Sequence, residues 1–454
     1  MKIKVFLCSA LFLFTTIQPA VSAQISQCQL PSAKSGILSL GFPLSAERLA
    51  SQKNPKVLVL PYYFKGDEKF ILSTQDKEVF TETAKNITNL SKGISKVSFL
   101  FNSPIELDIS AQELDQLKIN ASGTYMKDFE NSTWGLVSRT IKSADSSINY
   151  SGIDGVILYG FGKSAYGGIA EAMTFDSDPE RFRVNPLKSD GSSWFAPIST
   201  GEKGIANVVL LFNFKNSLTA THELLHLYGL PDLYGSAEGP GRLSVMDGLT
   251  MELLTYEKWL LGWHSNNQVL CESSEPVDSV VKFELNYKDS NHLALIRTSD
   301  RSVLVVETAS GKYLSFYRFG LDKRPPLTFY TRDARGVAGL DFSDNSSVGK
   351  IVKGDTLSML VSNKTNSSLT VYVFPNAILE SPQVASLVAA TNNSLELQLK
   401  QEAEAQADPQ LPPVESKTAM VPAGRKLTIS CVKGKATKKV TAVNPKCPAG
   451  YKKK

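Results

Sequence analysis

Long apolar runs are rare in this sequence. Beyond the N-terminal segment, no stretch reaches the about 20 apolar residues that a membrane-spanning helix requires. The sequence also lacks any repeat with a period of about 20 to 50 residues, which excludes solenoids and propellers. A hydrophobic content of 42% with 20% charged residues is ordinary for folded protein. Because 454 residues exceed what one compact core accommodates, we expect two or three domains.

The single long apolar run lies at the N-terminus and has the features of a signal peptide. Met1 to Lys4 is basic, Val5 to Ile17 is apolar, and Pro19 to Ala23 ends in the small residues of a cleavage site. We interpret residues 1–23 as a secretory signal peptide that is cleaved after Ala23. The mature chain is therefore expected to be secreted or associated with the cell surface, with no transmembrane segment.

Cysteine is scarce, with five residues in the whole chain, and cleavage would remove Cys8. An even number of cysteines outside the cell favours disulfide bonds over metal ligation. The remaining four allow three pairings, and their separation in sequence favours Cys28–Cys271 with Cys431–Cys447. The alternative is that Cys28 is a zymogen thiolate that binds an active-site metal.

Acidic residues are absent from residues 425–454, which contain ten lysines and arginines. Because the whole chain has a net charge of +5, taking away these ten positive charges leaves −5 for the remainder. The basic character therefore belongs to this tail, which is a candidate for binding an anionic cell-envelope polymer. No nucleic-acid partner is expected, since the basic residues are not interleaved with aromatic ones.

The region from residue 50 to 265 alternates between strand and helix patterns, which predicts an α/β domain. The predicted strands are 56–61, 152–160 and 206–212, and the predicted helices are 78–91 and 111–117. Residues 24–49 precede this domain as a lead-in or a short pro-segment.

Beyond Cys271 the pattern changes to short, closely spaced strands that are separated by polar turns. The predicted strands are 280–285, 293–297, 302–307 and 369–374. This pattern indicates a β-sandwich-type domain over residues 270–400. Residues 401–424 are rich in Glu, Ala, Gln and Pro and are predicted to be a linker. Residues 425–454 form the basic tail, bracketed by a disulfide.

Histidine is scarce, and two of the four histidines in the chain belong to one motif, His222-Glu223-Leu224-Leu225-His226. On a helix, residues four apart share a face, so both imidazoles can point at one ion. The H-E-x-x-H pattern is typical of Zn²⁺ sites, in which the glutamate serves as general base for a water that the metal activates. The motif predicts metal-assisted hydrolysis, with peptide bonds as the expected substrate.

The residues that follow the motif supply a candidate third ligand. Gly229 lets the chain leave the helix in a left-handed conformation, and Pro231 prevents the helix from continuing. Asp232 would then return beneath the ion as an oxygen ligand. Glu238, in the loop that follows, is the alternative third ligand. Met246, within Ser244-Val245-Met246-Asp247-Gly248, has the features of a Met-turn, the apolar floor of a zinc site.

Taken together, these motifs resemble the immune inhibitor A (M6-type) metalloproteases, which are secreted bacterial enzymes of the metzincin clan. The resemblance covers about residues 220–263, with the segments His222-Glu-Leu-Leu-His226-Leu-Tyr-Gly229-Leu-Pro-Asp232-Leu-Tyr234, the Met246 turn and Tyr256-Glu-Lys258-Trp259-Leu-Leu-Gly262-Trp263. It implies a zinc endopeptidase with a metzincin-like α/β catalytic domain and β-rich C-terminal domains. The tail is also similar to a short module at the C-terminus of exported bacterial proteins.

We therefore expect a secreted zinc metalloendopeptidase that acts on protein or peptide substrates with Glu223 as general base. The alternative is a non-enzymatic cell-envelope binding protein built on a metalloprotease scaffold, although a scaffold zinc site has no need of a general base. Tyr228 and Tyr234 are candidates for stabilising the tetrahedral intermediate, with simple packing as the alternative. Asp176 and Asp178 are candidates for a Ca²⁺ contact, with a solvated turn as the alternative.

Overall fold

The computed structural model describes most of the chain outside the N-terminal segment and several loops. The described ranges are 25–32, 41–121, 128–163, 167–178, 187–234, 240–248, 250–288, 293–309, 311–321, 326–333, 337–407, 427–434, 436–442 and 445–453. The predicted signal peptide and Glu238 lie outside the described residues.

The described residues form helices and strands in the following order. The helices are α1 (Thr74–Leu90), α2 (Ala111–Ala121), α3 (Thr133–Ala144), α4 (Ser217–Tyr228), α5 (Thr255–Leu260) and α6 (Pro382–Ala407). The strands before α5 are β1 (Lys56–Phe64), β2 (Ser98–Phe101), β3 (Ile105–Leu107), β4 (Gly155–Gly160), β5 (Ile169–Thr174), β6 (Ile198–Ser199), β7 (Gly204–Ile205) and β8 (Asn207–Phe212). The strands after α5 are β9 (Val269–Glu272), β10 (Val281–Asn286), β11 (Leu293–Ser299), β12 (Ser302–Ala309), β13 (Tyr313–Gly320), β14 (Leu327–Phe329), β15 (Leu340–Asp341), β16 (Ile351–Lys353), β17 (Leu357–Lys364), β18 (Ser368–Pro375), β19 (Leu427–Lys433), β20 (Ala436–Ala442) and β21 (Lys452–Lys453).

The first large sheet has the strand order β2-β1-β4-β8-β5, with β3 also paired to β1. Strands β1, β2, β3, β4 and β8 run parallel, whereas β5 pairs antiparallel with β8 at one edge. Every residue of β4 and β8 is buried because the sheet has helices on both faces. Helices α1 and α4 pack on one face, and α2 and α3 on the other. This confirms a mixed α/β architecture for the region expected to contain the active site.

Two further sheets pack against each other in the region after α5. One has the order β10-β18-β17-β16, and the other has the order β14-β13-β12-β11-β9. Their facing side chains share a core that includes Leu285, Leu304, Phe316 and Val371. Side chains on β12 alternate, so Val303 and Val305 point away from this core and join the core beneath α4. The second sheet therefore supports both the sandwich and the α/β region.

The segment before β1 is built into the protein interior. Cys28 forms a disulfide with Cys271, as the sequence predicted. Cys28, Leu30 and Leu49 are fully buried in the same core as α4. A zymogen thiolate at Cys28 is therefore wrong, because its sulfur is bonded to Cys271. The described part of residues 24–49 therefore contributes side chains to the folded core.

The C-terminal part differs from the prediction in one element. The described residues form two compact units, one reaching to Leu397 and the other beginning at Gln398. Helix α6 extends to Ala407, so the first residues of the segment predicted to be a linker are helical. Those residues are Gln, Glu and Ala, which are strong helix formers. Beyond them, β19, β20 and β21 form a small sheet closed by the predicted Cys431–Cys447 disulfide.

None of the helices in the described ranges combines the length and the apolar character that crossing a bilayer requires.

Two buried glutamates lie where α5 meets the second sheet, Glu257 on α5 and Glu307 on β12. Glu257 accepts a hydrogen bond from the backbone N–H of Leu254 at 2.8 Å, and Glu307 accepts one from that of Tyr256, also at 2.8 Å. Burial raises the pKa of Glu257 to about 8 and that of Glu307 to about 7, although Lys258 lowers both. Each carboxylate therefore retains its proton in the folded chain at pH values at which it would ionise in the unfolded chain.

We predict that this pair makes the free energy of unfolding fall as the pH rises from about 5 to 8. In that window the folded state binds more protons than the unfolded state, so the slope of stability against pH is negative. The double variant Glu257→Gln/Glu307→Gln should show a smaller fall in urea denaturation at pH 5 and pH 8. The exposed Glu78→Gln is the matched control and should behave as the wild type. An unchanged pH slope in the double variant would contradict the prediction.

Candidate functional site

Helix α4 carries the histidine motif on a rigid support. Asn216 caps its N-terminus by accepting a hydrogen bond from the N–H of Thr219 at 2.7 Å. Leu224, Leu225 and Leu227 are fully buried in the core between α4, α1 and the sheet. The opposite side of the helix presents His222 and His226, whose ring centroids lie 4.9 Å apart. Apolar packing therefore fixes the backbone from which both imidazoles project.

Each imidazole is oriented by a backbone carbonyl. The carbonyl of Val245 lies 2.8 Å from Nδ1 of His222, and the carbonyl of Leu230 lies 2.7 Å from Nδ1 of His226. A carbonyl oxygen can only accept a hydrogen bond, so both Nδ1 atoms carry the proton in the neutral rings. Nε2 of each ring is then left with a lone pair. This is the arrangement by which outer partners fix the tautomer of metal-binding histidines.

The turn after α4 brings Asp232 to the two histidines. Gly229 has φ of 116°, in the left-handed region, and its N–H bonds to the carbonyls of Leu225 and His226. The chain then reverses, and Oδ1 of Asp232 lies 3.1 Å from Nε2 of His222 and 3.2 Å from Nε2 of His226. The left-handed turn predicted at Gly229 is present, and it brings together the three side chains that the sequence had proposed as ligands.

The donor set has the spacing that a small ion requires. Ligand atoms bound to a tetrahedral Zn²⁺ at about 2.0–2.2 Å lie roughly 3.3–3.6 Å from one another. The two nitrogen–oxygen distances of 3.1 and 3.2 Å fall within a few tenths of an ångström of that range. Two imidazoles and one carboxylate are also a donor set that zinc accepts. The residues present therefore fit a zinc ion.

The predicted Met-turn is a one-turn 3-10 helix from Val245 to Asp247. Ser244 accepts a hydrogen bond from the N–H of Met246, and Gly248 ends the turn with φ of 77°. Met246 is fully buried, and its carbonyl accepts a hydrogen bond from the N–H of Leu233 at 3.0 Å. The turn is thus tied to the loop that carries Asp232, and through Val245 it is tied to His222.

Charges at the site are strongly coupled. Burial alone would raise the pKa of Asp232, but hydrogen bonds from Nε2 of the imidazoles, in the form that carries a second proton, hold it well below its usual range. Burial would lower the pKa of His226, yet Asp232 and Glu223 raise it overall. Burial raises the pKa of Glu223, and the two histidines oppose that rise. A metal ion would replace the proton that the histidines and Asp232 share.

The two tyrosines have different surroundings. Tyr228 is fully buried, its hydroxyl lies 2.7 Å from that of Ser95, and its ring packs on Trp263. Tyr228 is therefore a core residue. Tyr234 is 53% exposed, its ring stacks on His222, and its hydroxyl hydrogen-bonds Asp232. Burial and the charges of Asp232 and Glu223 raise its pKa to about 12, so the hydroxyl keeps its proton.

The candidate calcium ligands Asp176 and Asp178 are not part of this cluster. Within the described ranges, His222, His226 and Asp232 form the only group of three or more His, Cys, Asp or Glu side chains close enough to hold a metal. Asp176 and Asp178 lie in a turn in which the N–H of Asp178 donates to Oδ1 of Asp176. The roles of Val245 and Leu230 could not be predicted from their side chains, because both residues contact the histidines through backbone carbonyls. The H-E-x-x-H spacing alone does not reveal such acceptors.

No protein-family model matches the sequence, and no curated protein matches it.

We predict that Asp232→Ala weakens Zn²⁺ binding by more than about 100-fold, because it removes a ligand rather than an outer partner. Zinc affinity is measured by competition with a chromophoric chelator. The exposed Asp67→Ala serves as the matched control and should bind zinc as the wild type does. Unchanged affinity in Asp232→Ala, together with a loss in Glu238→Ala, would make Glu238 the third ligand instead.

We also predict that Tyr234→Phe weakens Zn²⁺ binding by about 10-fold or more, because Asp232 loses the hydrogen bond that orients its carboxylate. The variant keeps the ring that stacks on His222, so the change tests the hydroxyl alone. Tyr63→Phe, on β1, is the control and should leave zinc affinity unchanged. Equal affinity in the Tyr234 variant and the wild type would show that the tyrosine acts by packing only.

Proposed function

We propose that this chain is a zinc-dependent endopeptidase. The observation that carries the proposal is the convergence of His222, His226 and Asp232, with both Nδ1 atoms held by backbone carbonyls. A site that held zinc for structure alone would close the fourth position with another protein ligand. Among the described residues this cluster has three donors, with Glu223 beside the first histidine. A fourth coordination position left to water, next to a carboxylate, favours a hydrolytic role over a structural one.

The residues of the site have separate tasks in this mechanism. Zinc, when bound, lowers the pKa of water to near neutrality and polarises a carbonyl oxygen. Glu223 takes the proton from the attacking water and passes it to the leaving amine. Its burial supports this role, because a raised pKa brings a carboxylate closer to the range in which it can accept and return a proton. The hydroxyl of the exposed Tyr234 would orient the carboxylate of Asp232 by donating a hydrogen bond to it.

We further propose that the chain is an immune inhibitor A-like (M6-type) enzyme of the metzincin clan. The supporting features are the motif helix, the left-handed turn at Gly229, the 3-10 turn at Met246 and the buried helix α5 that follows it. Helix α5 packs Tyr256 and Trp259 into the core that also contains Met246. A β-sandwich after this region agrees with the β-rich C-terminal domains that the resemblance implies.

We propose that the chain is exported from the cytosol. Two disulfides support this, since such bonds persist in oxidising compartments and are rare in the cytosol. Cys28 lies just after the expected cleavage site at Ala23, so the mature chain would retain both bonds.

The decisive experiment compares wild type with Glu223→Gln in hydrolysis of casein. We predict that the variant loses at least about 100-fold in kcat, because general acid–base catalysis contributes about 10² to 10⁴. A glutamine keeps the shape of the side chain, so zinc content should stay equal to that of the wild type. A chelator should abolish wild-type activity, and added Zn²⁺ should restore it.

The exposed Glu78→Gln on α1 is the control and should retain full activity. Full activity in the Glu223 variant would contradict the proposed mechanism. A zinc-loaded wild type that hydrolyses neither casein nor short peptides would favour the non-enzymatic envelope-binding alternative. Activity on esters but not on peptides would indicate a non-peptide substrate.

A further inference from the structure

The C-terminal unit ends in a small basic sheet, here called the basic hairpin and comprising the described residues from Leu427 to Lys453. Its strand order is β20-β19-β21. A disulfide ties Cys431, which is fully buried on the central strand, to Cys447. The sheet is too small for a large apolar core, so the disulfide supplies stability that the core cannot. Strand pairing therefore fixes the backbone positions of its lysines.

The strand register spreads the lysines over the hairpin. Lys438 and Lys453 flank Cys431 on either side, in one row across the three strands. Neighbouring strands lie about 4.8 Å apart, so the two lysines stand roughly 10 Å apart on one face. Lys439 pairs with Ser430 and Lys452 pairs with Val432, which places both on the other face. Both faces of the sheet thus carry positive charge.

These charges have no acidic counterpart in the same segment. Residues 425–454 contain no Asp or Glu. The side chains of Lys433, Lys438, Lys439, Lys452 and Lys453 are all exposed. Mutual repulsion of this kind does not stabilise a fold, and a bound anion would relieve it. The arrangement therefore points to an external anionic ligand.

The chemistry of the hairpin selects among anionic ligands. Lysine binds as a point charge without the paired hydrogen bonds of arginine, so it reads charge density rather than one defined group. Tyr451 is the only aromatic residue in residues 425–454, so this segment has no series of aromatic rings on which successive bases could stack. Among the hairpin side chains described from Thr428 onward, none that is large and apolar is exposed for insertion into a bilayer.

From these observations we propose that the basic hairpin binds a linear phosphodiester polymer of the cell envelope. Such a chain presents evenly repeated single negative charges and can pass along either face of the sheet. Binding is electrostatic, and it requires no pocket. This function does not depend on catalysis at His222 and His226, and it would hold the protein close to a surface.

The test measures binding of the full-length mature chain to immobilised poly(glycerol phosphate) at several salt concentrations. The variant Lys438→Gln/Lys439→Gln/Lys452→Gln/Lys453→Gln should bind at least about 10-fold more weakly. Its slope of log affinity against log salt should be smaller by about three to four, near one for each lost contact. Thiol titration should find no free cysteine in the variant, which shows that the hairpin remains closed.

Two control variants separate charge from shape. The four corresponding Lys→Arg changes keep the charge and should retain binding within about threefold. Four Lys→Gln changes at the exposed Lys53, Lys96, Lys288 and Lys350 should leave affinity unchanged. Unchanged affinity in the hairpin Gln variant would overturn the proposal. Tighter binding to duplex DNA or to anionic lipid vesicles than to the polymer, at equal charge concentration, would also overturn it.

Discussion

Backbone carbonyls that hold Nδ1 of His222 and His226 are the constraint on which the rest of the site depends. Without them each ring could rotate or change tautomer, and the two Nε2 atoms would not face Asp232 together. Leu230 offers its carbonyl because Gly229 turns the chain back at the end of α4. Val245 offers its carbonyl because the 3-10 turn is fixed to the loop at Leu233. The local backbone conformation therefore sets the orientation of the two imidazole rings.

That geometry is supported from below by packing over a long stretch of sequence. The core beneath α4 includes side chains from the N-terminal segment, the α/β sheet, α5 and strands of the second sheet. Glu257 and Glu307 are the polar exceptions at this junction, where each accepts a backbone N–H at the start of α5. Side chains of the β-rich region therefore pack in the same core as Met246 and help to support the turn that contains it. This explains why residues far from the histidines in sequence belong to the same compact unit.

Much of the scaffold could be predicted because burial leaves a pattern in the sequence. Strands β1, β4 and β8 are covered on both faces, so each reads as a continuous apolar run. Strand β5 was missed, since its edge position allows Ala170, Glu171 and Ala172 to remain partly exposed. Helix α3 was missed as well, because Gly135 and several β-branched residues weaken its helical signal. The spacing of the motif predicted the ligand cluster, whereas its carbonyl partners have no side-chain signature.

The disulfide between Cys28 and Cys271 has a consequence for survival in a proteolytic environment. The two cysteines are 243 residues apart, and the loop that they close contains the whole α/β sheet and the ligand cluster. A single cut in any surface loop within that span leaves two fragments that are still covalently joined. The fragments also share one buried core, so nicking would not by itself disperse the site. Proteolysis would have to break the disulfide bond, or cut more than once, before the chain came apart.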